Sequence, residues 1–272
     1  MEKARNFTKK IFKLLMKPEM RILPGQLAFF LVMTLIPLVA LIATIAANLS
    51  ISTETIRVAI NASVPPQIAN ILNSIVAGDG INFNIIIFYA SGFILASNGA
   101  YSMINTSNEI YKVEPNSIVS RRLKAITMTF VLVGIFLFLI IVPIFGGNIF
   151  DILKEVTDNS VVISIIREML VILKYPLILI ILYINIKLMY VIAPDKEIPG
   201  KTTTKGAIFT TIGWVLSTEI FAFYIEKFAR YDLFYGSVAN ILILLLWIYL
   251  LSYIYVLGMV INASEYNGEL NN

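Results

Sequence analysis

The sequence predicts an all-α, polytopic membrane protein with six transmembrane helices, and three observations predict it. The 272 residues are 58% hydrophobic and only 14% charged, against about a quarter charged in soluble domains. The charges are so unevenly spread that four stretches of 26 to 32 residues carry none, each longer than the roughly 20 helical residues that cross a hydrocarbon core. These stretches are also apolar on every side, without the short alternating pattern of a membrane barrel strand.

Taken in order, the chain begins with a basic segment, 1–21, in which Phe7, Ile11, Leu14 and Leu15 recur at helical spacing while Lys9, Lys13 and Lys17 form another row up to Pro18. This predicts an amphipathic helix lying in the headgroup layer. Ile22 to Thr53 is free of charge and holds the first span, 27–47. It exceeds the apolar region of a signal peptide, about 7–15 residues, and no small-x-small site closes it, so it is expected to stay in the mature protein. After the Pro65-Pro66 break, Ile68, Ile71, Leu72, Ile75 and Val76 make a helical stripe in the first outer loop.

The second span, 84–104, lies in the uncharged run from Gly80 to Asn108, and the third, 125–145, in the one from Ala125 to Phe150. A second outer-loop stripe follows at Val161, Val162, Ile165, Ile166, Met169 and Leu170. Such stripes either cover the end of the bundle or line an entrance from the outer leaflet. The fourth span, 171–193, contains Lys174 and Lys187; the fifth, 207–228, contains Glu219, Glu226 and Lys227; the sixth, 238–262, lies in the uncharged run from Leu233 to Ser264. The inner loop from Pro194 to Gly206 is short, polar and turn-like. The whole chain, 1–272, reads as one membrane domain without internal repeats.

Orientation follows from lysine and arginine in the short loops. The N-terminal segment, the second loop (Lys112, Arg121, Arg122, Lys124) and the fourth loop (Lys196, Lys201, Lys205) hold 14, against five on the other side. Both termini are therefore expected in the cytoplasm. The net charge of +4 reads as a topology signal and an attraction to anionic membrane lipids, not as a nucleic-acid surface.

The composition also excludes chemistry. There is no cysteine and no histidine, which removes disulfides, thiolate nucleophiles, Cys/His zinc sites and His-based triads. Acidic residues are few and scattered, without the metal-binding cluster of a ribonuclease or the paired intramembrane acids of a protease. The expectation is no catalytic residue, no metal and no cofactor.

Ionisable and polar groups at membrane depth are the candidate functional residues, because they are costly in hydrocarbon and usually face protein or water. Glu219 lies twelve residues beyond Ala207, near mid-bilayer at about 1.5 Å per residue. Lys187 either pairs with it across neighbouring helices or snorkels to the interface, leaving a hydrogen-bonded glutamic acid. Asn98, Tyr101, Ser102 and Asn105 share one helix face that must turn inward, for interhelical hydrogen bonds or for substrate. Gly92 and Gly99 permit close helix approach there. Between the last two spans, Arg230, Tyr231, Asp232, Tyr235, Gly236 and Ser237 form a compact candidate outer-loop network.

Tyr235-Gly236-Ser237-Val238-Ala239, Leu244-Leu245-Leu246-Trp247-Ile248-Tyr249-Leu250, Gly258 and Asn262-Ala263 together resemble the C-terminal signature of the YihY/BrkB family, bacterial inner-membrane proteins once labelled ribonuclease BN. Gln26-Leu27-Ala28-Phe29-Phe30 with Ile36-Pro37, Asn105 with Ile110-Tyr111 and Arg121-Arg122-Leu123, and Ala193-Pro194 resemble other parts of its pattern. One departure is that members often carry Gly-Ala-Glu before the final Asn-Ala, where this chain has Gly258-Met259-Val260. The resemblance implies six spans in the bacterial cytoplasmic membrane with cytoplasmic termini, and no settled activity. Two functions stand at this point. One is a transporter or flippase-like protein for a lipid, amphipathic or envelope-related substrate, with Glu219, Lys187, Asn98, Tyr101 and Asn105 along its pathway. The other is a non-transporting membrane scaffold for envelope assembly.

Overall fold

A computed structural model of the chain describes residues 16, 18–48, 53–76, 85–131, 176–177, 179–227, 236 and 239–268. Among these residues the structure is helical and holds no strand. Eight helices are described: α1 (Glu19–Asn48), α2 (Thr53–Ser63), α3 (Pro66–Val76), α4 (Ile85–Tyr111), α5 (118–131), α6 (Leu179–Ile192), α7 (Thr204–Lys227) and α8 (Ala239–Tyr266). By length and apolarity α7 and α8 are each able to cross a bilayer over their described residues.

Two helices run past the apolar stretches read from the sequence. α1 begins at Glu19 rather than at 27, and α4 ends at Tyr111 rather than at 104. Helical hydrogen bonding does not stop where an apolar stretch ends, and about two further turns carry each helix beyond it. The segment between the first two predicted spans holds two helices, α2 and α3, where its stripe predicted one. In α3, Ile68, Leu72 and Val76 are buried, and Ile68 and Leu72 pack with Phe221, Ile225, Ile243 and Leu244. Ile68 and Leu72 of that stripe are thus packed against α7 and α8. The N-terminal segment before residue 16, the stripe at 161–170, Lys174 and residues 132–145 of the third predicted span lie outside the described residues.

α8 is the central rod. It packs on α1 and α7, with α3 and α4 also against it, and from Tyr255 to Ser264 every residue is buried. α1 lies along α4. Gly99 makes that approach possible: a Cβ there would come within 3.0 Å of the Thr34 hydroxyl and 3.2 Å of Leu31, so a larger side chain would push the two helices apart.

Local chemistry sets the turn between α4 and α5. Lys112 takes the left-handed conformation at φ 52°, while the Val113 N–H bonds to the Asn108 carbonyl at 2.9 Å and the Lys112 N–H to the Glu109 carbonyl at 3.3 Å. This is the paired closure of a Schellman helix end, with lysine where glycine is usual. Ser117 then caps α5, its Oγ accepting from the Ser120 N–H at 3.3 Å.

Candidate functional site

The polar face predicted on the second span is brought against the cations that open α5. Arg122 donates through Nη1 to Asn98 Oδ1 at 2.8 Å and through Nη2 to the Ile94 carbonyl at 2.8 Å. Arg121 donates to Asn105 Oδ1 and, through Nε, to the Asn116 carbonyl at 3.1 Å. Its guanidinium also lies 5.3 Å from the centre of the Tyr101 ring, within the range of a cation–π contact. Asn98, Tyr101 and Asn105 thus act as one row, and their partners are arginines that charge counting alone reads as topology signals.

The row continues one turn further, to Asn108, where it meets Asp195 of the 193–203 loop. Asn108 Nδ2 donates to Asp195 Oδ2 at 2.7 Å, and the Asp195 N–H donates back to Asn108 Oδ1 at 2.8 Å. The Asn116 N–H reaches the same carboxylate oxygen at 3.1 Å. Lys124 Nζ donates to Asp195 Oδ1 at 3.0 Å, to the Ala193 carbonyl at 3.0 Å and to the Pro194 carbonyl. Burial works against the Asp195 charge, but the Lys124, Asn108 and Asn116 donors outweigh it and hold the carboxyl below its ordinary range. One carboxylate therefore ties together α4, the α4–α5 turn, α5 and the loop ahead of α7.

A second tight region joins α6, α7 and α8. The Tyr190 hydroxyl donates to the Tyr255 carbonyl at 2.7 Å and accepts from the Thr210 hydroxyl at 2.7 Å. The Gly206 N–H donates to Asn262 Oδ1 at 2.8 Å, and Gly206 and Gly258 let the two backbones touch. Removing the Tyr190 hydroxyl in Tyr190→Phe leaves two buried polar groups short of a partner. It is expected to lower stability by about 1–3 kcal/mol, read as a fall in the thermal unfolding midpoint of the detergent-purified protein.

The other predicted residues are placed apart from the α4 row. Lys187 lies over the Tyr183 ring, its Nζ 5.7 Å from the ring centre. Glu219 is exposed on α7, and no ion pair joins it to Lys187 among the described residues. Gly236 is exposed at φ 51°; Arg230, Tyr231, Asp232, Tyr235 and Ser237 lie outside the described residues. Sequence reasoning missed Asn108, Lys124 and Asp195 as a unit. The available signal was the spacing 98, 101, 105, 108, which continues the same helix face into the charged loop.

Two further features bear on chemistry. An apolar groove of about 550 Å³ runs between α1 and α8, bordered by Gly25, Ala28, Phe29, Leu242, Leu245 and Tyr249. Among the described residues no group of three or more acidic side chains is placed to hold a metal ion, and the chain has no histidine.

Comparison with known proteins places these features in a family. Residues 12–271 match the sequence model of the family described as Virulence factor BrkB. The chain is 30% identical over 266 residues to the ribonuclease-like protein YfkH of Bacillus subtilis (strain 168), covering 95% of this chain and 94% of that protein. It is 40% identical over 75 residues to UPF0761 membrane protein Nmul_A0452 of Nitrosospira multiformis, and 35% over 77 residues to UPF0761 membrane protein IL2447 of Idiomarina loihiensis. Those two matches span 28% of this chain each, and 18% and 27% of the respective relatives. No solved structure matches. The ribonuclease in the YfkH name finds no support in the side chains available here. With a match across nearly its whole length and an apolar helical architecture to go with it, the chain belongs to the BrkB family of membrane proteins.

Proposed function

We propose that this protein is a six-span transporter or flippase-like protein of the bacterial cytoplasmic membrane, with both termini in the cytoplasm, acting on a lipid, amphipathic or envelope-related molecule. The observation that carries this reading is the α4 row: Asn98, Tyr101 and Asn105, met by two guanidinium groups and bordered by exposed Ile94, Leu95 and Leu123. Polar and charged groups beside an apolar surface match the two halves of an amphiphile. The membrane topology rests on the charge distribution and on helix lengths of 30, 27, 24 and 28 residues for α1, α4, α7 and α8. Because the chain has no cysteine, single cysteines placed at either end report sidedness without background; labelling of the two ends from opposite faces would refute this topology.

The direct test is reconstitution into liposomes carrying a fluorescent phospholipid in one leaflet. Transport predicts movement well above protein-free vesicles, slowed about ten-fold or more in the Asn98→Ala/Asn105→Ala variant if those amides contact the moving molecule. Glu219→Gln tests in the same assay whether the exposed acid of α7 takes part. A second reading, the non-transporting scaffold, is favoured by the Asp195 latch and the Gly206–Gly258 contact, which pack the bundle tightly. It predicts vesicles indistinguishable from protein-free ones.

A further inference from the structure

We infer that Arg122, with Arg121 beside it, forms a binding site for the anionic headgroup of a phospholipid whose acyl chain lies along the exposed face of α4 and α5. The first observation is charge. Arg121 and Arg122 are half-buried, and every partner they have among the described residues is neutral: two asparagine oxygens, two backbone carbonyls and a tyrosine ring. The neighbouring carboxylate, Asp195, is engaged by Lys124. Among the described residues, therefore, two positive charges stand side by side with no carboxylate paired to either.

The second observation is where the Arg122 guanidinium goes. The inference rests here on the proposed span, 84–104, in which Asn98 lies six residues from the inner end, about 9 Å inside at 1.5 Å per residue. Arg122 belongs to the turn before the third span. The Cα–Cβ bond of a helical residue leans toward the helix N-terminus, here the headgroup side, and a long basic side chain next to a bilayer ordinarily follows it outward. Arg122 reaches the other way, to Asn98 and the Ile94 carbonyl, so its charge is held at the edge of the hydrocarbon by two hydrogen bonds.

The third observation is stoichiometry and surroundings. A guanidinium has five N–H donors in a planar fork, and those contacts use two of Arg122's. The remaining donors fit a phosphate oxygen pair, for which arginine is better suited than lysine. Ile94, Leu95, Ile118, Val119 and Leu123 around it are all exposed, which supplies an apolar bed for a hydrocarbon chain and argues for a lipid over a free anion. The site needs no transport to exist. Binding and movement are therefore separable.

The test is native mass spectrometry of the detergent-purified full chain given equal amounts of phosphatidylglycerol and phosphatidylcholine with identical acyl chains. The wild type is expected to retain the anionic lipid at least about five-fold over the zwitterionic one, the order expected for one well-placed cation near anionic lipid. R122Q is expected to bring that ratio close to one. R122K, which keeps the charge and the fold but loses the fork, should fall between them. Phosphatidylglycerol carrying a photoreactive acyl chain should label peptides containing Leu95 or Leu123. Equal retention of both lipids by the wild type, an unchanged ratio in both variants, labelling confined to other helices, or displacement by inorganic phosphate alone would each overturn the inference. Selective binding without lipid movement would leave it standing and remove the transport reading; movement without headgroup preference would do the reverse.

Discussion

Gly206→Ala is expected to abolish most of the folded protein, seen as loss of the monodisperse peak and of a cooperative thermal transition after detergent extraction. A Cβ at this position would overlap the Gly258 carbonyl and the Asn262 side chain, and the same amide side chain accepts the Gly206 N–H at 2.8 Å. Alanine in a helix is favoured over glycine by about 1 kcal/mol, so local propensity pulls the other way. The overlap dominates because its main partner is backbone, which does not move aside without separating α7 from α8; overpacking of this kind costs about 3 kcal/mol or more. Gly258→Ala should behave similarly, since its Cβ would meet the Thr210 hydroxyl and lie 2.5 Å from the Tyr190 hydroxyl. Gly200→Ala is the control: nothing lies within 4 Å of its Cβ position, and its unfolding midpoint should match the wild type. A well-folded Gly206→Ala protein would mean that α7 and α8 are not in backbone contact.

The second large effect is expected at Asp195. Asp195→Ala removes the acceptor for Asn108, the Asn116 N–H and Lys124 together, and leaves the Lys124 ammonium with only two carbonyls. Breaking a fully buried pair costs about 3–5 kcal/mol. The Asp195 side chain is 1% exposed but that of Lys124 is 23% exposed, so water relieves part of the penalty and about 2–3 kcal/mol is expected. The pH dependence has a definite sign. The folded carboxyl titrates below its ordinary value, and the unfolded one near 3.9. Its contribution is therefore complete above the unfolded value and is lost as pH falls through the folded one. Wild-type unfolding midpoints should hold their Asp195-dependent part from pH 7 to about pH 5 and lose it below about pH 4, narrowing the gap to Asp195→Asn. A gap that stays constant down to pH 3 would show that the carboxylate charge is not what holds the latch.

Much of the architecture could be read in advance because hydrocarbon is an exacting solvent. Charge-free runs of 29 and 32 residues leave few options besides helix, and α4 and α8 appear where those runs lie. The spacing of Asn98, Tyr101 and Asn105 likewise placed them on one face before any partner was in view. Their partners could not be found that way. Arg121 and Arg122 lie 16 and 24 residues along the chain from Asn105 and Asn98, and a positive-inside count treats them as interchangeable with any other loop cation. Asp195 is 87 residues from Asn108, a distance over which no periodicity carries information. Lys187 and Glu219 illustrate the converse: helix-length depth makes both conspicuous, yet one lies over an aromatic ring and the other is exposed.

Residue order alone settled that this chain is helical and built for a membrane, since both properties come from the transfer of local segments between water and oil. Which buried or half-buried polar groups meet was settled by packing. A helix face is a local property, but a guanidinium at an asparagine or a lysine at an aspartate depends on how separate rods are brought side by side, and that is decided by shape: the missing side chains at Gly99, Gly206 and Gly258 and the turn at Lys112.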